Sequence, residues 1–183
     1  MERQQDHKER SVAWFKLAEL IARGEREKAL SVFRLLAHSL PDRAYVLQIE
    51  GDILWFLDDV TAADKYKQAA VLYHKEKRLV DAISLYEHLL MQRADSYDIL
   101  SHLLILYASM DWKDKFEHCF ARMLALFSKH AIDTPQLEKT LRDLAASSAS
   151  TNPWLASWAK SVTPRLPTDL QPRMADIFDR IGR

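Results

Sequence analysis

Residues 62–92 read AADKYKQAAVLYHKEKRLVDAISLYEHLLMQ. Tyr66, Ala69, Ala70 and Tyr73 recur at three- and four-residue steps and share one helical face, and Ala82, Tyr86 and Leu89 do the same beyond the polar break at Lys77-Arg78. Large and small residues alternate along both faces. Two helices approach closely only where one offers Ala or Gly, and bulky partners then fill the remaining gaps. The stretch therefore predicts two helices joined by a short polar turn.

The same pattern recurs on either side. A shift of 34 positions places Tyr66, Ala69, Ala70, Tyr73, Ala82, Tyr86 and Leu89 on Leu100, Leu103, Leu104, Tyr107, Phe116, Phe120 and Met123. A shift of 33 places Ala29, Phe33 and Leu36 on Ala62, Tyr66 and Ala69, and Trp14, Ala18 and Ile21 on Leu47, Gly51 and Leu54. Recurrence at this period means helical hairpins stacked in a row.

Residues 11–127 resemble the tetratricopeptide repeat family in this respect. Arg23-Gly24-Glu25 followed by Ala29 and Phe33, and Lys77-Arg78-Leu79 followed by Ala82 and Tyr86, are similar to that family's turn and second helix. The resemblance implies an all-α fold, a right-handed superhelix of antiparallel helical hairpins of the α-solenoid type, with extra helices at the carboxyl end. Second helices starting near Glu25 and Lys77 break strict alternation, so one interposed helix plays an unusual part. Pairing helices two with three, four with five and six with seven gives a more uniform spacing, with Pro41 inside a repeat.

Outside the repeat the texture changes after Lys129, which divides the chain into a repeat domain at 1–128 and a helical cap or tail at 129–183. The first helix offers Trp14, Leu17, Ala18 and Ile21 as its apolar face. Asp58-Asp59 supplies helix-start chemistry, as do Asp133-Thr134-Pro135 and Asn152-Pro153. The polar run Gln92–Ser96 and the Ala- and Ser-rich run 145–151 separate helices, and Pro164 and Pro167 interrupt the chain before a stripe of Met174, Ile177, Phe178 and Ile181. Trp154 and Trp158 sit one turn apart. Packing of this tail on the last hairpin is the favoured reading; occupation of a groove, its own or another subunit's, is the alternative and offers a route to self-association.

Composition narrows the chemistry. Apolar residues form 48% of the 183, enough for a sizeable core, while three glycines leave few corners for hairpin-rich sheets or phosphate loops. Lys plus Arg and Asp plus Glu number 26 each, so the net field disfavours nucleic acid. The polar start Met1–Arg10 and a longest apolar run of only Leu103–Ala108 predict a soluble, cytoplasmic chain with no export signal and no membrane insertion. Cys119 is the one cysteine, and the seven histidines form no spaced ligand pair. No metal, cofactor or catalytic constellation is expected, so the chain reads as a non-enzyme.

The expected function is therefore interaction: an adaptor, assembly factor or dedicated small chaperone that holds a segment of another protein in a concave groove. If helices four and six face inward, the lining residues are Lys67, Val71, His74, Ser101, His102 and Ile105. If helices one and three do, they are Phe15, Glu19, Gln48, Asp52 and Trp55. The Lys and Asn that one branch of the family uses to grip a terminal carboxylate have no counterpart, because Lys67 is followed one turn later by Val71 and Ser101 by Ile105. Single-stranded RNA binding by a helical array, or a structural role in a larger complex, are the alternatives.

Overall fold

The computed structural model describes residues 2–92, 96–147, 152–166, 168 and 170–179. Among these, every regular element is helical. Ten α-helices follow in order: α1 (Glu2–Ala22), α2 (Arg26–Ala37), α3 (Arg43–Phe56), α4 (Ala62–Lys75), α5 (Leu79–Gln92), α6 (Tyr97–Ser109), α7 (Lys113–Ser128), α8 (Thr134–Ala146), α9 (Pro153–Val162) and α10 (Gln171–Phe178). A 3-10 turn at Thr163–Arg165 contains Pro164. Residues 93–95 and 148–151, Pro167 and Ile181, which the sequence reading assigned to linkers and to the last stripe, lie outside the described residues. Two compact units make up the chain, Met1–Leu85 and Tyr86–Arg183.

One corner ends five of the helices. Gly24, Asp58, Lys77, Asp111 and His130 adopt φ of 70°, 52°, 64°, 58° and 55°, closing α1, α3, α4, α6 and α7. In each, the following N–H donates to the carbonyl five positions back: Glu25 to Leu20, Asp59 to Leu54, Arg78 to Tyr73, Trp112 to Tyr107 and Ala131 to Leu126, all at 2.9 Å. This left-handed cap satisfies carbonyls that a helix end otherwise leaves open. All five accepting residues are buried. The Arg78 guanidinium lies 4.2 Å over the Tyr73 ring, and Trp112 sits 6.1 Å from Tyr107, so the corner also folds a side chain back on its helix.

Corner spacing explains the broken alternation. Gly24 to Asp58 and Lys77 to Asp111 are each 34 residues, whereas Gly24 to Lys77, Lys77 to His130 and Asp58 to Asp111 are each 53. A three-helix frame therefore underlies the two-helix repeat. The α2 helix lacks the corner: its cap residue His38 has φ −61°, and Pro41 stops the chain from continuing as helix.

In the first unit α1 packs on α2 and α3 on α4, with α2 also touching α3. The α3–α4 pair is antiparallel. Tyr66 donates its hydroxyl to Asp52 at 2.8 Å, and Tyr73, seven residues on, reaches back to Gln48 at 2.8 Å. The close approach falls at Gly51, where a Cβ would stand 2.8 Å from Tyr66 Cδ1 and Cε1. The alternative pairing, which set α4 against α5 and α2 against α3, does not capture this contact. The face of α1 also differs from the expected one: Leu17 and Leu20 are buried, while Trp14 and Ala18 are exposed. The two stripes overlap along the helix, and packing against α2 selects the second.

In the second unit α6 packs on α7, and the tail covers them. Trp158 sets its ring edge-to-face on Phe116 and Phe120 at 4.7 and 4.8 Å, and Phe178 meets Trp158 at 5.9 Å. Asp133 and Gln136 form a reciprocal cap on α8, and Asn152 Nδ2 donates to the Ala108 carbonyl at 2.6 Å. Of the last apolar stripe, Met174, Ile177 and Phe178 are buried within this unit.

Two substitutions test the corner and the close approach. Gly51→Ala should lower stability by about 1–2 kcal/mol, because Tyr66 is held by Asp52 and cannot yield, outweighing the alanine's better helix propensity. Lys77→Gly should raise it by about 1 kcal/mol by removing the left-handed penalty. Urea midpoints at constant m-value read both; a stabilised Gly51→Ala protein would contradict the contact.

Candidate polypeptide-binding surface

Polar pairs hold the frame of the first unit. Asp42 accepts the Tyr45 N–H at 2.9 Å, which caps α3, and its other oxygen takes the Arg78 guanidinium. The backbone bond from Tyr45, aided by the Arg78 contact, holds its carboxyl below the usual range against the opposing effect of burial. Asp59 accepts the Thr61 hydroxyl and N–H at 2.5 and 2.8 Å and the Arg26 Nε at 2.5 Å. The Thr61 bonds, then Arg26, bring its carboxyl down to about 2. These pairs fix where α2, α3, α4 and α5 begin.

Between α3 and α4 lies a groove of about 330 Å³ lined by Arg43, Leu47, Lys67, Gln68, Val71 and Leu72. The lining combines apolar Leu47, Val71 and Leu72 with the basic Arg43 and Lys67 and the amide of Gln68. The same unit exposes much apolar surface elsewhere. Val12 and Phe15 stand one turn apart on α1 at 61% and 77% exposure, and Phe56 and Val60 flank the α3–α4 corner at 77% and 86%. Among the described residues, ten of the eleven exposed large apolar side chains belong to Met1–Leu85; Met91 is the exception.

The second unit carries a cleft of about 340 Å³ whose lining includes Leu90, Leu100, Leu103 and Cys119. Glu87 accepts the Tyr107 hydroxyl at 2.8 Å and the Lys115 ammonium at 2.6 Å across it. Cys119 is buried, donates to the Leu100 carbonyl at 3.3 Å, and burial pushes its thiol up to about 12, which makes it a packing residue.

The residues singled out from sequence fall in different places. Lys67 and Val71 share the α3–α4 groove, and His74 follows on α4, half-buried. Trp55 is on α3 at 45% exposure and is not among the groove's lining residues. Ser101, His102 and Ile105 are half-buried on α6 in the second unit. Ser101 donates to the Asp98 carbonyl at 2.8 Å, His102 Nδ1 meets the same carbonyl at 2.7 Å, and the His102 ring stacks on Tyr86 at 5.0 Å. Of the other proposed inner face, Phe15 is exposed, Gln48 and Asp52 receive the α4 tyrosines, and Glu19 pairs with Lys16 at 3.0 Å and with Arg23. Sequence reading missed Arg43, Leu47, Gln68 and Leu72. Their i, i+4 spacings were visible, but the pairing that sets them opposite each other was not.

Among the described residues no three His, Cys, Asp or Glu side chains gather as a metal cluster, and no helix is long and apolar enough to cross a membrane. No protein-family model matches the chain, and neither a curated protein nor a solved structure matches it.

Asp59 makes a pH test. A carboxyl held below its unfolded value of about 3.9 stabilises the fold above that pH and loses the effect as pH falls toward 2. Wild type should therefore exceed Asp59→Asn in stability at pH 6, with the advantage vanishing between about pH 4 and 2. Urea titrations across that window read the difference; a pH-independent gap would refute the Arg26–Asp59–Thr61 arrangement.

Proposed function

We propose that the chain is a polypeptide-binding helical module, an adaptor, assembly factor or small chaperone, whose contact surface lies on the Met1–Leu85 unit. The observation that carries this reading is the uneven use of apolar residues. The second unit buries its aromatic tail against α7, while the first leaves Phe15, Leu35, Phe56 and Val60 each more than three-quarters exposed. Scattered exposed apolar residues are ordinary on protein surfaces, but a concentration in one unit, with Phe56 and Val60 on either side of a single corner, marks a surface that a partner covers. A few residues near the centre of an interface carry most of its energy, each costing about 2 kcal/mol or more on truncation.

The repeat supports a more specific version, in which the helix pairs stack as in a tetratricopeptide array and present their first helices to the partner. Exposed Phe15 on α1 and Tyr45 and Trp55 on α3 fit that orientation. Neutral net charge supports a protein in preference to RNA as the ligand.

The test replaces Phe15, Phe56 and Val60 together by serine. These side chains are exposed, so the fold should keep its helicity and its urea midpoint within about 0.5 kcal/mol per site. Polypeptides cross-linked by a photoreactive residue placed at exposed position 12 or 35 of the parent should be lost when the same residue is placed in the variant. Undiminished cross-linking in the variant, or none in the parent, would overturn the reading.

A further inference from the structure

We draw no further inference here: the strongest candidate, the cleft of about 340 Å³ among α5, α6 and α7 in the second unit, sets Glu87 and Asp114 against Lys115 and Arg122 in its lining, so that its charges choose no ligand and nothing in the structure shows what occupies it.

Discussion

A helix can reverse direction only if its last carbonyls find donors, and here one left-handed residue repeatedly supplies the geometry. Five times the chain spends a positive φ to bring the next N–H within 2.9 Å of a buried residue's carbonyl. Glycine takes that conformation freely, yet only Gly24 is a glycine. A side chain there costs roughly 1–2 kcal/mol. What offsets the cost is what the corner brings together: Arg78 on Tyr73, Trp112 beside Tyr107, and in every case a core residue at the turn's base. Helix direction and core burial are thus set by the same few atoms.

From the corner at Asp58 follows the α3–α4 pair, and from that pair follows the groove. Gly51 admits the Tyr66 ring, the two tyrosine hydroxyls find Asp52 and Gln48, and the helices settle close enough for Arg43 and Leu47 to stand with Lys67 and Val71 around one hollow. Arg26–Asp59 and Arg78–Asp42 then anchor the helix starts on either side. The groove is a by-product of a packing solution. In the second unit the same kind of packing is completed internally, by Trp154 and Trp158 against α7.

Part of this was visible in the residues alone. Tyr66, Ala69, Ala70 and Tyr73 predicted a buried face of α4, and all four are buried. The starts at Asp133-Thr134-Pro135 and Asn152-Pro153 open helices as their capping chemistry requires. Other features were not legible. Trp14 resembled a core residue because two apolar stripes overlap on α1, and Lys77, Asp111 and His130 carry no local mark of a left-handed corner as Gly24 does. Ser101 and His102 both contact the Asp98 carbonyl, a local bond that spacing does not reveal.

What the sequence by itself determined is therefore the all-helical character, the places where helices break, and the faces of α4 and α6 that must be buried. These are local properties: a 3.6-residue period, a proline or a capping side chain acts within a turn or two of itself. Only the tertiary structure decided which helix lies against which, that Arg43 would face Lys67, and that one unit would keep its large apolar residues in solvent while the other folded its own tail over them. Those outcomes depend on contacts between residues far apart in the chain, where several apolar stripes compete and the fit of one small residue, Gly51, against one large ring, Tyr66, selects among them.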